Sequence, residues 1–482
     1  MAFVRRRPLL SALIVVLLTA SLLAIGDGLN PVWPLMWVAV IPVLLFAAEV
    51  DSWYRAAAAA ALAMLLGSLP MFYYLHVALH APFVAWFIPF SIASLLFAAG
   101  VLLFRALLRR GAAFSAVIAL PAFWTVAEYL GSFVPADGTA GSLAYTQLRF
   151  LPLLQIASLT GLWGISFLLL LFSSVVAAAI YLRATPRRAI RVVALAVVVV
   201  GASLIFGAVR MATPSAGGTI KVGLLDTDKV QIAEPGVATD ELIRGYAEQA
   251  AKLAGQGAQL VLMPEKTVVL LDRQVKAVDS ELQGAADRSG ATLDIGVLHL
   301  VGDQKFNEAR IYSPGHPVEV YHKEHMLPPF ESDETPGISL TTLSGFGPPV
   351  GVEICKDMDF IRPALDYGRA GVALMLDSAW DFNIDRAWHG HIAIMRGVEN
   401  GYAVAHAAKD GYLTVTDSRG RILGEVRTDS APFASLIVDV PLRHEQTLFN
   451  RFGAWFAWTA GVLLLATVVR LAMVWSQRPE VL

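Results

Sequence analysis

Three reactive side chains in this sequence each follow a short apolar run of the kind that forms a buried strand. Glu265 follows QLVLMP, Lys323 follows VEVYH and Cys355 follows GVEI. Because α/β sheets gather their ligands beyond the ends of their strands, we expect these side chains to lie close together. The thiolate is the reactive form of cysteine, a carboxylate could take its proton, and an ammonium could stabilise the oxyanion of an attacked carbonyl. The set therefore predicts nucleophilic acyl chemistry.

The cysteine also has a simpler interpretation. Cys355 is the single cysteine of the chain, so it forms no intramolecular disulfide and is no part of a CxxC pair or a zinc finger. A lone cysteine at the end of an apolar strand is most often a small buried hydrophobe. Spacing alone leaves both a nucleophile and a core side chain open.

The elements that must position these side chains alternate between strands and helices. Residues 217–445 have the charge and hydropathy pattern of one soluble unit, long enough to form its own core. The predicted strands are 219–225, 259–263, 292–298, 307–312, 318–321, 350–354 and 374–376, the predicted helices are 240–253, 272–289 and 386–398, and residues 402–440 are β-rich. Strands and helices in turn predict a layered α/β sandwich.

The rest of the chain is too apolar for a soluble protein. Of its 482 residues 56% are hydrophobic and 16% charged, with a mean hydropathy of +0.59 and a net charge of −2. This composition excludes a disordered chain, a secreted disulfide scaffold and an ordinary cytosolic enzyme, and the absence of a large basic block argues against a nucleic-acid partner. A spanning helix needs about 20 apolar residues. The sequence predicts eight spans, at about 8–26, 33–50, 56–76, 83–104, 113–134, 151–182, 190–209 and 453–475. The run at 151–182 is long enough to tilt or to begin with an interfacial segment.

Positive charges predict the orientation of these spans, because cytoplasmic loops retain lysine and arginine. With a cytoplasmic N-terminus, the cytoplasmic side holds Arg5, Arg6, Arg7, Arg55, Arg105, Arg109, Arg110, Arg183, Arg187, Arg188 and Arg191. The short outer loops hold only Arg149 among basic residues. We therefore expect seven spans within 1–212, an extracytoplasmic domain at 217–445, and a last span at 453–476 that returns Arg470 and Arg478 to the cytoplasm. The first run is expected to stay as an anchor, since no convincing small-x-small cleavage site precedes the next span.

The contexts of the three reactive residues resemble a known family. The order Glu, Lys, Cys in LMPE, YHKEHMLPPFE and EIC is similar to the nitrilase (carbon–nitrogen hydrolase) superfamily. Within it, seven spans before the polar domain and one after it resemble the bacterial apolipoprotein N-acyltransferases. Two longer stretches carry the same resemblance, AYTQLRFLPLLQIASLTGLWGISFL (Ala144–Leu168) and DSAWDFNIDRAWHGHIAIMRGVENGYAV (Asp377–Val404).

The resemblance implies an αββα nitrilase-like sandwich and a two-step acyl transfer in the bacterial inner membrane. Cys355 would attack an acyl ester of a phospholipid and form a thioester, and the N-terminal amine of a diacylated lipoprotein would then accept the acyl chain. Glu265 would be the general base and Lys323 the support of the oxyanion. Glu331, eight residues after Lys323, would be a supporting carboxylate. The resemblance implies no metal and no other cofactor, and a monomer is favoured.

Five further residues are candidates for the pocket or its support. Lys356 and Asp357 follow the cysteine where the family has Tyr-Glu, and Lys356 could either lower the pKa of the thiol by its charge or point into solvent. Trp380 fits a lid or pocket about as well as a packed aromatic face. Arg396 and Glu399 are three residues apart on a predicted helix, so a local ion pair is the simpler interpretation, and the resemblance makes them supporting residues.

Three functions remain open, of which the acyltransferase is favoured. A membrane-anchored nitrilase-type amidase or hydrolase acting on a lipid-linked substrate would use the same three residues, with water in place of the amine. The number of spans favours a lipid substrate, since an enzyme for a soluble substrate needs one anchor. A transporter or a silent scaffold is disfavoured by the intact reactive residues, and the spans lack a pair of broken helices with midplane charges.

Overall fold

A computed structural model of the chain describes residues 7–136, 138–213, 217–230, 237–328, 330–385 and 388–476. These residues form two compact units. The first lies within 1–133, 141–212 and 454–482, and the second within 134–140 and 213–453. Arg5, Arg6 and Arg478, which entered the predicted orientation, and the first two residues of the helix predicted at 386–398 lie outside the described residues.

The helices of the two units follow the apolar and amphipathic runs of the sequence. They are α1 (Pro8–Gly26), α2 (Trp33–Met36), α3 (Ile41–Glu49), α4 (Trp53–Gly67), α5 (Leu69–Val77), α6 (Phe83–Arg109), α7 (Ala113–Gly131), α8 (Leu151–Leu154), α9 (Ala157–Thr160), α10 (Leu162–Tyr181), α11 (Pro186–Ala212), α12 (Val237–Gly255), α13 (Asp272–Ser289), α14 (Ala364–Arg369), α15 (Trp388–Asn400), α16 (Leu448–Phe452) and α17 (Trp455–Ser476). Helices α1–α11 and α17 belong to the first unit and the others to the second.

The first unit contains the helices that are long and apolar enough to cross a membrane. Within the described residues these are seven: Pro8–Gly26, Trp53–Val77, Phe83–Arg109, Ala113–Gly131, Leu162–Tyr181, Pro186–Ala212 and Trp455–Ser476. The run predicted as a span at 33–50 is instead divided into α2 and α3, each with a proline in its first two positions, where a missing N–H costs nothing. The run at 151–182 is divided into α8, α9 and α10, and Gly161 at φ +68° makes the last of these breaks.

The second unit contains two sheets. Its strands are β1 (Gly218–Asp226), β2 (Leu260–Leu262), β3 (Val268–Leu271), β4 (Thr292–Val301), β5 (Gln304–Tyr312), β6 (Glu319–His322), β7 (Thr341–Leu343), β8 (Val350–Ile354), β9 (Leu374–Trp380), β10 (Ala403–Lys409), β11 (Tyr412–Thr416), β12 (Ile422–Arg427) and β13 (Ala434–Leu442). One sheet has the order β13-β1-β2-β4-β5-β6, with β3 also paired to β4, and the other has the order β12-β11-β10-β9-β8-β7.

The two sheets face each other across one apolar core. Alternate residues of both sheets supply it, among them Leu224 and Leu262 from the first sheet and Val352 and Leu376 from the second. The other face of the first sheet is covered by α12 and α13 through a second apolar cluster, and α15 packs against β10 of the second sheet. The predicted layered sandwich is therefore confirmed, with the ends of β2, β6 and β8 available to hold the three reactive side chains.

Candidate active site

Glu265 lies where the first sheet is interrupted. Strands β2 and β3 both pair with β4 and are separated by a short irregular segment that contains this residue. Gly296 of β4 spans the interruption, because its N–H donates to the Pro264 carbonyl at 3.0 Å and its carbonyl accepts from the Thr267 N–H at 2.8 Å. The Glu265 N–H donates to the Ala379 carbonyl on β9 at 3.3 Å, which ties the segment to the second sheet. The Glu265 residue is only 2% exposed.

Lys323 follows β6 directly and joins two carboxylates. Its N–H donates to the Asn307 carbonyl at 2.9 Å, and its own carbonyl accepts from the Gly337 N–H at 2.7 Å. The buried ammonium donates to Glu265 Oε1 at 2.7 Å and to Glu331 Oε2 at 2.8 Å. The Asn307 amide donates to Glu265 Oε1 at 2.6 Å and to Glu331 Oε1 at 3.0 Å. Three residues predicted from sequence, Glu265, Lys323 and Glu331, are thus brought together in one hydrogen-bonded group.

Glu331 is held on its other side by two groups that sequence reasoning missed. The Leu327 N–H donates to Glu331 Oε2 at 2.7 Å, which fixes the carboxylate within its own loop. The ammonium of Lys266 donates to Glu331 Oε1 at 2.5 Å and to Glu334 Oε1 at 2.7 Å. Lys266 directly follows Glu265 in the sequence, so its charge was visible there, but nothing in the spacing indicated which way its side chain turns.

Cys355 stands at the end of β8, at the start of a short 3-10 helix, Cys355–Asp359. Its φ of +48° lies in the left-handed region, which side chains other than glycine rarely adopt. The Cys355 N–H donates to Asp377 Oδ1 on the neighbouring strand β9 at 2.7 Å, which holds this conformation. The half-buried thiol lies 4.0 Å from the Trp380 carbonyl oxygen.

The Asp377 carboxylate has a second partner on the next strand. His406 of β10 lies opposite Asp377 in the parallel register, and His406 Nδ1 lies 2.7 Å from Asp377 Oδ2. The other ring nitrogen, Nε2, lies 3.6 Å from Asp381 Oδ2. Both carboxylates and the imidazole are almost fully buried. The nucleophile candidate is therefore braced from β9 and β10, an arrangement that depends on strand register and was missed from sequence.

The charges of the site act on each other. Burial raises the pKa of the Cys355 thiol, the Glu265 carboxylate raises it further, and the Lys323 ammonium only partly opposes them. Burial disfavours the charged form of Lys323, but the carboxylates of Glu265 and Glu331 outweigh it and hold the pKa of Lys323 well above its usual value. The surroundings thus favour the neutral thiol of Cys355 and the ammonium form of Lys323. Such a thiol becomes a nucleophile when its proton moves to a neighbouring base.

Lys356 and Asp357 are both buried and have separate partners. Lys356 Nζ lies 3.1 Å from Asp359 Oδ2, so the side chain does not project into solvent. The Asp357 carboxylate accepts hydrogen bonds from Tyr321 Oη at 2.8 Å and from the His325 N–H at 2.8 Å. Because these donors flank Lys323 in the sequence, Asp357 links the segment that carries the lysine to the turn that carries the cysteine.

The remaining predicted residues lie on β9 and α15. Trp380 Nε1 donates to Asp410 Oδ2 at 3.2 Å, and the Lys409 ammonium stands 5.0 Å from the centre of the Trp380 ring. Arg396 and Glu399 form the local ion pair that their spacing predicted, with Nη1 and Oε2 2.7 Å apart and both side chains fully buried. Over the described ranges, no group of three or more His, Cys, Asp or Glu side chains could hold a metal ion.

Two family models match the chain in succession. Residues 16–175 match the apolipoprotein N-acyltransferase N-terminal domain, and residues 236–440 match the carbon-nitrogen hydrolase domain.

Curated relatives match over most of the chain. An apolipoprotein N-acyltransferase from Geobacter metallireducens is 28% identical and covers 94% of this chain and 94% of its own length. One from Chlorobaculum tepidum is 24% identical and covers 91% of this chain and 94% of its own length. Among solved structures, an amidase from Nesterenkonia sp. is 23% identical with a TM-score of 0.44, over 51% of this chain and 97% of that one.

Proposed function

Since the chain belongs to the apolipoprotein N-acyltransferase family, we propose that it moves an acyl chain from a membrane phospholipid, through a thioester on Cys355, to the N-terminal amine of a diacylated lipoprotein. The observation that carries this proposal is the hydrogen-bonded group formed by Glu265, Lys323 and Glu331, in which the charges of Glu265 and Lys323 act on the single cysteine of the chain. A base, a cation and a thiol are the parts that thiol-based acyl transfer needs.

In the first step Glu265 accepts the thiol proton as Cys355 Sγ attacks the carbonyl carbon of the phospholipid ester. The Lys323 ammonium stabilises the oxyanion of the tetrahedral intermediate. When the intermediate collapses, the bond to the alcohol oxygen breaks and Glu265 returns the proton to that oxygen. The products of this step are the acyl-cysteine and a lysophospholipid.

In the second step the amine of the lipoprotein attacks the thioester carbonyl. Glu265 takes a proton from the attacking nitrogen, Lys323 again stabilises the oxyanion, and the carbon–sulfur bond breaks as the amide forms. The proton held by Glu265 restores the Cys355 thiol. Glu331, fixed by the Leu327 N–H and by two lysines, has the supporting role of keeping Lys323 aimed at the reacting carbonyl.

The proposed location is the bacterial inner membrane, with both termini in the cytoplasm and the catalytic domain, residues 217–445, outside it. The long apolar helices and the distribution of arginines support this location. Both substrates are anchored in the same bilayer, so a membrane-bound enzyme meets them at a high effective concentration. The chemistry needs no cofactor, because a thioester keeps much of the reactivity of the ester it replaces.

The test is product formation by the purified full chain. We expect mass spectrometry to find one acyl chain added to the amine of a synthetic diacylated lipopeptide after incubation in phospholipid micelles. Glu331→Gln should slow this reaction roughly 10²-fold or more, as expected for loss of a group that supports acid–base catalysis. Asp333→Asn is the matched control on the same loop, since Asp333 is exposed and pairs only with Lys305 among the contacts described. Equal activity of both variants, or turnover by Cys355→Ala, would reject the proposed mechanism.

A further inference from the structure

The proposed base belongs to a group of five charged side chains rather than three. Glu331 is enclosed between two ammonium groups, with Lys323 Nζ at 2.8 Å from Oε2 and Lys266 Nζ at 2.5 Å from Oε1. Lys266 also donates to Glu334 Oε1 at 2.7 Å. Glu265 shares the Lys323 ammonium with Glu331.

Lys266 is placed for this contact by the main chain. It follows Glu265 directly and has a φ of +47°, so its side chain leaves the interrupted strand in an uncommon direction. The Lys266 residue is 7% exposed, and among the described residues its ammonium donates hydrogen bonds to the carboxylates of Glu331 and Glu334, which lie on one loop. A buried ammonium that neither pairs with the proposed base nor reaches the surface has a different task from that of Lys323.

The balance of carboxylates and ammonium groups in this cluster suggests the task of Lys266. Three carboxylates, Glu265, Glu331 and Glu334, meet two ammonium groups, so the group carries one negative charge in excess. Both ammonium groups contact Glu331, whereas Glu265 contacts only the Lys323 ammonium, which it shares with Glu331. Without Lys266, three carboxylates would share one ammonium, and like charges in one site retain a proton. That proton would be shared between Glu265 and Glu331, which Asn307 and Lys323 bridge.

We propose that Lys266 and Glu334 form a charge-balancing pair that reserves the proton-accepting role for Glu265 and withholds it from Glu331. Lys266 is thus a positioning residue, since its hydrogen bonds go to Glu331 and Glu334 and it acts on Glu265 by its charge. The inference rests on the proposed function only in taking Cys355 as the nucleophile and Glu265 as its base.

The electrostatics of the neighbouring groups agree with this division. Burial would raise the pKa of Glu331, but Lys323 and Lys266 outweigh it and hold that pKa well below its usual value. Burial raises the pKa of Glu334, which Lys266 opposes only in part. Among the described residues, Lys409, whose Nζ lies 3.4 Å from the Lys266 carbonyl, the Cys355 thiol and the exposed pair Lys305–Asp333 also face this cluster. The carboxylates of Asp377 and Asp381 act on the Cys355 thiol as well.

The experiment measures the pH dependence of alkylation of Cys355 by iodoacetamide in the purified full chain. Cys355 is the only cysteine, so the adduct mass reports one thiol, and the reagent needs neither lipid nor lipoprotein. In a plot of alkylation rate against pH, the rate rises as the Cys355 thiol loses its proton. Lys266→Met removes a positive charge and should move the midpoint of this rise up by about one pH unit or more, which at pH 7 slows alkylation about tenfold. Glu334→Gln should move the midpoint in the opposite direction, because it removes a negative charge. The double variant Lys266→Met/Glu334→Gln should return the midpoint to within about half a unit of the parent protein.

The opposite shifts distinguish a charge effect from damage to the fold. Loss of alkylation at every pH with an unchanged midpoint in Lys266→Met, or shifts that do not cancel in the double variant, would overturn the inference. If Lys266→Met does not fold, the downward shift in Glu334→Gln still tests it, and no shift there would overturn it. If the alkylation midpoint shifts in opposite directions in Lys266→Met and Glu334→Gln but the parent protein transfers no acyl chain, the proposed function is rejected and the inference stands.

Discussion

At the scale of single residues, the conformation of the nucleophile candidate depends on a histidine remote from it in the sequence. The Cys355 N–H is held by Asp377, and Asp377 is held in turn by His406. The His406 ring lies between the buried carboxylates of Asp377 and Asp381 and holds the Asp377 side chain in place. This N–H is already committed to Asp377 and is not available to an oxyanion, so the stabilisation of negative charge in the reaction depends more heavily on Lys323.

The contact between His406 and Asp377 predicts that the stability of the folded chain depends on pH. Burial lowers the pKa of His406, but the Asp377 carboxylate outweighs it, and the pKa is raised to about 10. A free histidine has a pKa of about 6.5. The interaction therefore stabilises the folded chain fully below about pH 6.5 and is lost as the pH rises through about 10. We expect the drop in apparent melting temperature caused by His406→Gln to be large at pH 6 and to shrink by pH 10.5.

The exposed His316 provides the matched control. His316→Gln should leave the melting temperature of the purified protein unchanged at both pH values. If His406→Gln lowers the apparent melting temperature by the same amount at pH 6 and at pH 10.5, His406 contributes packing alone.

At the scale of elements, the site depends on how strand β4 supports the interruption between β2 and β3. A Cβ added at Gly296 would lie 2.4 Å from the Pro264 carbonyl oxygen and 2.5 Å from Glu265 Cα. Both neighbours are main-chain atoms, which a rotamer change cannot move aside. The glycine therefore sets the distance between β4 and the segment that carries the proposed base.

Gly296→Ala tests this support. We expect it to lower the free energy of unfolding by about 1–3 kcal/mol, as overpacking commonly does, and to slow acyl transfer because it displaces Glu265. Melting temperature and lipopeptide acylation are the measurements. Gly218→Ala is the control in β1, where an added Cβ meets nothing within 4 Å. Wild-type activity and stability of Gly296→Ala would contradict the account.

Most elements of the polar unit could be predicted because their periodicity is local. The helix predicted at 272–289 and the strand predicted at 350–354 have the predicted bounds, and the strand predicted at 374–376 is longer, Leu374–Trp380. The proximity of Glu265 and Lys323 was also predictable, since each directly follows a predicted strand, whereas Glu331 lies in a loop and was indicated only by the family resemblance.

The remaining partners follow from long-range geometry that no local pattern contains. Asn307 reaches Glu265 through the pairing of β5 with its neighbours, and His406 meets Asp377 through the register of β10 on β9. The direction of the Lys266 side chain depends on a left-handed main-chain conformation. In the apolar unit, composition predicted a continuous span at 33–50 and left a tilted span or an interfacial start open at 151–182, whereas prolines and a glycine divide the helices of both runs.

At the scale of the whole molecule, the proposal requires the polar unit to lie outside the cytoplasm. Labelling of single cysteines with a membrane-impermeant maleimide in a Cys355→Ser background tests this orientation in intact cells. Asp303→Cys, on an exposed turn of the polar unit, should react once the outer membrane is permeabilised. Ala184→Cys, in the exposed connection between α10 and α11 next to Arg183, should react only after the inner membrane is opened. The reverse pattern would contradict the arginine argument.

The most direct test of the central claim is the intact mass of the purified full chain after incubation with phospholipid. We predict that the chain gains the mass of one acyl group on Cys355. This mass should disappear when a diacylated lipopeptide with a free N-terminal amine is added, as the N-acylated lipopeptide appears. An adduct that water removes equally fast without the lipopeptide would indicate a hydrolase, and an unmodified Cys355 during turnover would contradict the mechanism.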